Sequence, residues 1–102
     1  HKFAQITCGG VQVHVRSRDV FEPFLTGIAV ISAIKELYPE NLEWRQPPYE
    51  YEHQRMPIEI LCGGNRIPRQ IDTGTPLDEI RQGWQNDVVR FLALRKPYLL
   101  YE

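Results

Sequence analysis

The sequence lacks an excess of positive charge and any long apolar run, and each absence excludes a class of protein. Its 12 lysines and arginines are balanced by 13 aspartates and glutamates, which leaves a net charge of -1. A surface that binds nucleic acid needs clustered cations to neutralise phosphates, so we expect no nucleic-acid partner. The apolar stretches are no longer than an ordinary helix and are interrupted by polar residues, so we expect no segment that inserts into a membrane.

Metal-ligating and disulfide-forming residues are also scarce. His1, His14 and His53 show no ligand spacing, so we expect no metal site and no other cofactor. Cys8 and Cys62 each precede a Gly-Gly pair, which favours buried free thiols in tight turns, although one disulfide between them stays open. Nothing in the sequence fixes the distance from Cys8 to His14, so we do not expect these two residues to form a catalytic pair.

What the chain does contain is the composition of one small globular domain. Hydrophobic residues make up 42% and charged residues 25% of the 102 residues, which suffices for one core but not for two domains. The chain begins with His1, and its single methionine is Met56. We therefore expect residues 1–102 to be one domain of a longer protein.

Two segments carry apolar residues at intervals of three and four, the period of an amphipathic helix. Residues 24–38 have small residues opposite the apolar stripe and are followed by Pro39, which predicts a helix buried over most of its circumference. Residues 76–94 follow Thr75, whose hydroxyl is a typical helix cap. A short helix or turn is predicted at residues 57–61 and an irregular helix at residues 65–72.

Strand signals complete the predicted fold. Val11, Val13 and Val15 alternate with polar residues, which is the period of a strand with one buried face. Weaker strand signals lie at residues 3–7, 41–44 and 98–101. The sequence therefore predicts a single α+β domain, in which a small, largely antiparallel sheet packs against the two main helices.

Polar residues gather where the predicted strand ends and the first helix begins. His14 lies on the strand face opposite the valines, and Arg16, Arg18 and Asp19 follow it. A strand that leads into a core helix through a polar turn can hold such side chains in a ligand site. Two other interpretations stay open: a partly exposed strand histidine, and a capping box of Asp19 with Glu22 together with local ion pairs.

Residues 45–55 contain two prolines and two tyrosines without an apolar period, so we interpret them as a surface excursion. Tyr49, Tyr51 and the preceding Trp44 lie beside charged residues. Aromatic side chains in such a segment can stack on sugar rings or anchor an interface. A loop pinned to the core by its aromatic side chains is the alternative.

Six short motifs occur along the chain: GVQVHV at 10–15, RDVFEP at 18–23, TG at 26–27, PIEIL at 57–61, GWQ at 83–85 and RKPYLLY at 95–101. Taken together in this order, they resemble one bacterial family, the C-terminal domain of NamZ-type (YbbC-like) exo-β-N-acetylmuramidases. The resemblance runs from about Cys8 to Tyr101. Arg16-Ser17 departs from it, because the family usually has Thr-Asp there, and so does the segment after Leu61.

The resemblance implies a two-domain enzyme that releases N-acetylmuramic acid from the non-reducing ends of peptidoglycan fragments. A larger, Rossmann-like N-terminal domain would carry the catalytic carboxylate, and this chain would be the accessory C-terminal domain that completes the cleft. Its implied partners are that catalytic domain and muropeptides, and its implied location is periplasmic or extracellular. The sequence places no pair of carboxylates in an enclosed site, so we expect the chain alone to be inactive.

In this interpretation His14, Arg16, Arg18 and Asp19 are candidates for holding a polar sugar or the lactyl carboxylate of muramic acid. We also expect residues 44–55, with the tyrosines at 49 and 51, to face the catalytic domain together with the end of the predicted strand at residues 11–15, and to form one wall of the cleft. A structural or dimerisation module without direct sugar contact is the alternative function.

Overall fold

The computed structural model describes residues 3–101, which form four α-helices and a short 3-10 helix. In chain order these are α1 (Pro23–Leu37), α2 (Pro57–Leu61), α3 (Arg66–Asp72), α4 (Leu77–Arg95) and the 3-10 helix Lys96–Tyr98. Helix α1 packs against α3 and α4, and α2 packs against α3. The two main helices predicted from the sequence are confirmed, each with its ends shifted by one residue.

Prolines and extended residues set the ends of α1. Pro23 occupies the first helical turn, where its missing N–H costs no hydrogen bond, and the backbone N–H of Tyr38 closes the helix on Ile34 O at 2.8 Å. Glu22 precedes the helix in an extended conformation and forms no side-chain cap. The capping-box interpretation of Asp19 with Glu22 is therefore wrong.

The turn between α3 and α4 depends on a glycine. Gly74 has a φ of +68°, the left-handed region that favours glycine, and the Thr75 N–H reaches back to Gln70 O at 2.9 Å. These bonds satisfy the last carbonyl groups of α3 and let α4 begin two residues later at Leu77. Asp78 and Glu79 in the first turn of α4 lie at the positive end of its dipole.

The hydrophobic core lies where α1, α3 and α4 meet. Its buried side chains are Ile28 from α1, Ile67 and Ile71 from α3, and Ile80 from α4, the last only 1% exposed. The ring of Trp84 meets that of Phe24 edge to face, with 5.3 Å between ring centres. Half-buried side chains surround this cluster, namely Ile31, Trp44, Cys62, Leu77 and Trp84.

The predicted antiparallel sheet, and with it the α+β fold class, is wrong: residues 3–101 contain no strand, and the fold they form is helical. Val11, Val13 and Val15 are 74%, 53% and 47% exposed, and no backbone group of residues 7–21 bonds to another described backbone group. Alternating valines favour an extended chain, but a strand also needs a neighbouring strand to pair with its N–H and C=O groups. The segments predicted to pair with it also form no strands: residues 3–5 form a turn, residues 42–46 have no regular structure and residues 96–98 form a 3-10 helix.

Two expectations about burial also need correction. Only Ile28 of α1 is buried, while Phe24, Ile34 and Leu37 are 45%, 41% and 70% exposed, so the helix is covered along one line and not over most of its circumference. Both cysteines are free, but Cys8 is exposed and Cys62 is half-buried. Partial burial raises the pKa of the Cys62 thiol.

The second half of α4 projects beyond the core. Val89, Phe91 and Leu94 on α4 and Leu100 after the 3-10 helix are 60% exposed or more. The chain exposes 9406 Å² in all. A compact monomer of 12.0 kDa is expected to expose about 6,000 Å², so the excess amounts to about 3,400 Å². None of the helices among residues 3–101 is both long enough and apolar enough to cross a membrane.

Candidate functional site

The structure separates the six candidate residues into two places. His14, Arg16, Arg18 and Asp19 lie in the exposed stretch before α1, and none of their side chains forms a hydrogen bond or ion pair with another residue in the range 3–101. The two tyrosines lie in the tight turn formed by residues 49–52, which we call the tyrosine turn.

Two backbone hydrogen bonds close the tyrosine turn. The Tyr49 N–H donates to Glu52 O at 2.9 Å, and the Glu52 N–H donates to Tyr49 O at 3.0 Å. This reciprocal pair is an isolated antiparallel bridge, and it places Glu50 and Tyr51 at the tip. Tyr51 is 96% exposed and Tyr49 is 40% exposed, so both rings are accessible to a ligand.

The Glu52 carboxylate anchors the turn to the residues that follow. Its Oε1 accepts hydrogen bonds from the N–H groups of Gln54 at 2.8 Å and Arg55 at 3.2 Å, and its Oε2 accepts two from the Arg55 guanidinium at 3.1 and 3.2 Å. The bonds from the two backbone N–H groups, together with the Arg55 guanidinium, lower the pKa of Glu52 to about 2. Glu52 therefore stays ionised at neutral pH, with its oxygens occupied.

Helix α2 lies next to the tyrosine turn and is fixed at its start. The Met56 N–H donates to Glu59 Oε2 at 3.2 Å, half of a capping box, while Pro57 occupies the first helical position. At the end of this helix, beside the tyrosine turn, Ile60 and Leu61 are 43% and 75% exposed.

The turn and the helix together form an open surface groove of about 550 Å³, which we call the tyrosine groove. Its volume falls in the range of small-molecule sites. The Arg45 guanidinium lies over the ring of Tyr49, 5.2 Å from its centre, and contributes a cation at the rim. The groove is lined by Tyr49, Glu50, Tyr51, Glu52, Pro57, Ile60 and Leu61.

A second groove of about 670 Å³ runs between α1 and the turn from α3 to α4. Two of its three charged groups already have partners, because Lys35 Nζ donates to Pro39 O at 3.2 Å and lies 4.0 Å from Asp72 Oδ1. No aromatic side chain lines it. The tyrosine groove therefore offers the better combination of accessible rings and apolar surface. No group of three metal-ligating side chains occurs within residues 3–101.

Comparison with known proteins decides the family. Residues 1–101 match the family described as exo-β-N-acetylmuramidase NamZ, C-terminal. The chain belongs to this family. It is 34% identical over 94 residues to the peptidoglycan β-N-acetylmuramidase NamZ of Bacillus subtilis (strain 168). That alignment covers 92% of the chain but 21% of the relative, so this NamZ C-terminal chain spans about a fifth of the relative's length. No solved structure matches it.

Sequence reasoning found the two tyrosines but missed the rest of the groove. The sequence analysis assigns no role to Glu52, whose ion pair with Arg55 forms in a turn and not on a helix. Ile60 and Leu61 were placed in a short helix without a role. One sequence feature could have placed Ile60 and Leu61 near the tyrosines. Only a few residues separate Tyr49 and Tyr51 from Pro57, the first residue of α2.

Proposed function

We propose that this chain is the accessory C-terminal unit of a peptidoglycan β-N-acetylmuramidase, and that the tyrosine groove forms one wall of the site that holds the glycan. The observation that carries the proposal is the pair of accessible tyrosine rings, held beside apolar α2 on a turn that Glu52 anchors. Sugar rings present apolar C–H faces that pack on aromatic rings and hydroxyl groups that hydrogen-bond to carboxylates.

The acids of the chain support an accessory role over an independent active site. Glycoside hydrolysis needs two carboxyl groups that flank the scissile bond. Asp78, Glu79 and Asp87 are exposed on α4, and the oxygens of Glu52 are occupied by hydrogen bonds. We therefore place the catalytic carboxylate in the part of the polypeptide outside this chain, in a catalytic N-terminal domain.

The excess exposed surface supports docking onto such a domain. An excess of about 3,400 Å² exceeds the roughly 800 Å² that one partner buries in a standard interface. The exposed valines before α1 and the second half of α4 supply apolar surface for this contact. His14, Arg16, Arg18 and Asp19 lie on the same stretch as these valines, and we propose that they contribute to the rim of the glycan site. A periplasmic or extracellular location would give such an enzyme access to peptidoglycan fragments.

A structural or dimerisation module is the second candidate function. The observation that favours it is the exposed apolar surface of Val89, Phe91 and Leu94, which lies on α4, whereas the tyrosine groove is built on α2. A module of this kind would need α4 and would be indifferent to the tyrosines.

The test compares two double variants of the full polypeptide that contains this chain. Tyr49→Ala with Tyr51→Ala should lower kcat/KM for a disaccharide in which N-acetylmuramic acid is followed by a neutral N-acetylhexosamine, because it removes contacts worth ~1–3 kcal/mol. Tyr98→Ala with Tyr101→Ala is the matched control, since both residues are exposed tyrosines outside the groove. Equal activity of the tyrosine-groove variant and the unmodified polypeptide would refute the sugar-wall role and favour the module.

A further inference from the structure

The backbone of Glu50 adopts a conformation that its residue type does not favour. Its φ is +52°, in the left-handed region where a Cβ atom crowds the backbone. Beyond the first five residues of the chain, Glu50 is the one non-glycine residue of the described range with a positive φ. Tight turns with this geometry prefer glycine or asparagine at such a position. Turn geometry alone therefore does not account for a glutamate there.

Glu50 differs from Glu52 in what its carboxylate contacts. Both residues line the tyrosine groove, but the oxygens of Glu52 accept hydrogen bonds from Gln54 and Arg55. The Glu50 carboxylate has no hydrogen bond or ion pair to any residue between 3 and 101. The groove thus contains one anchored carboxylate and one whose acceptor sites are open.

The surroundings of Glu50 select the chemistry of the group it can hold. The charge of Glu52 is balanced by Arg55, so the unpaired charge on this wall is that of Glu50, and it disfavours a phosphate or carboxylate group placed directly against it. Neutral donors, such as sugar hydroxyls and the N–H of an acetamido group, suit a free carboxylate acceptor. The ring of Tyr51 and the exposed side chain of Leu61 offer apolar surface for the C–H face of the same ring.

We propose that Glu50 is a substrate-contacting residue, whose carboxylate accepts hydrogen bonds from the hydroxyl or amide donors of a neutral amino sugar lying against the tyrosine groove. This inference rests on the proposed function and deepens it, because it assigns the groove to a neutral sugar unit of the glycan and not to the lactyl carboxylate of muramic acid. The unfavourable φ of Glu50 then serves to hold the carboxylate at the tip of the turn.

The test uses the full polypeptide and a disaccharide in which N-acetylmuramic acid is followed by a neutral N-acetylhexosamine. Glu50→Gln keeps the size of the side chain and removes its charge, and it should lower kcat/KM by about tenfold. Glu40→Gln is the matched control, because Glu40 is an exposed glutamate outside the tyrosine groove. The control should retain the activity of the unmodified polypeptide.

Glu50→Gly separates substrate contact from a structural role. Glycine accepts a positive φ without strain, so this variant should melt at the same temperature as the unmodified polypeptide or higher, yet lose at least as much activity as Glu50→Gln. A lower melting temperature for Glu50→Gly would make Glu50 a structural residue and overturn the inference. So would activity of Glu50→Gln within twofold of the unmodified polypeptide, or an equal loss in Glu40→Gln. No hydrolysis by the unmodified polypeptide would instead overturn the proposed function.

Discussion

The indole Nε1–H of Trp44 donates to both carboxylate oxygens of Asp72, at 2.9 and 3.0 Å. Asp72 is the last residue of α3, where a negative charge meets the negative end of the helix dipole. The bond from Trp44 and the ammonium of Lys35, 4.0 Å away, offset this cost. The relationship ties the segment that leads into the tyrosine turn to the helical core.

We predict that Trp44→Phe lowers the free energy of unfolding of the chain by about 1 kcal/mol, because it keeps most of the aromatic packing and removes the hydrogen bond. Urea unfolding followed by circular dichroism measures the change. In the double variant with Asp72→Ala, the effect of Trp44→Phe should largely disappear. An undiminished effect in that background would show that the loss comes from packing.

The low pKa of Glu52 predicts a pH-dependent tyrosine turn. The pKa falls from 4.5 to about 2 in the folded chain, so the stabilisation by ionised Glu52 is complete above about pH 4.5 and is lost as the pH falls towards 2. The amide proton shift of Gln54, which donates to Glu52, should titrate with a midpoint near the lower value. Glu52→Gln should abolish this titration, and a midpoint close to 4.5 would contradict the anchoring role.

Ile80 is the least exposed side chain of the core, at 1%. Ile80→Ala should lower the free energy of unfolding by ~2–5 kcal/mol, through lost apolar burial and the cavity that remains. Val89→Ala is the matched control on the same helix, since Val89 is 65% exposed and should cost less than ~0.5 kcal/mol. Similar melting temperatures for the two variants would mean that α4 does not pack on α1 and α3 through Ile80.

The isolated chain should not hydrolyse a chromogenic N-acetylmuramic acid glycoside, because the two carboxylates of the tyrosine groove lie on the same turn and the oxygens of Glu52 are already held by Gln54 and Arg55. The measurement is release of the chromophore by the purified chain compared with buffer alone. Hydrolysis above the buffer rate that disappears in Glu50→Gln or another variant of this chain would place an active site within it.

The sequence predicted the helices well because their signals are local. Apolar residues at intervals of three and four define α1 and α4, and Pro39 and Pro97 mark where the chain leaves these helices. The sheet was predicted wrongly because Val11–Val13–Val15 alternation reports only an extended chain, while strand pairing depends on distant residues.

The candidate site could be predicted only in part for a similar reason. The composition of residues 45–55 predicted that their tyrosines lie at the surface, and both tyrosines are exposed in the structure. The turn that presents them could not be predicted, because its positive-φ position is occupied by Glu50 and not by the glycine or asparagine that usually marks such a turn. The anchoring of Glu52 likewise depends on backbone N–H groups, which a sequence does not distinguish.

The four buried isoleucines lie between residues 28 and 80, so within the described range 3–101 neither terminal stretch contributes a buried side chain to the core. Folding of this core therefore does not require that the exposed terminal stretches be buried at the same time. Under the proposed function, the core would form first, and the exposed stretch before α1 and the second half of α4 would then contact another part of the polypeptide. The folding intermediate in that order would have a formed core and exposed apolar terminal stretches. Aggregation or association with an incorrect partner would then be the main risk during its folding.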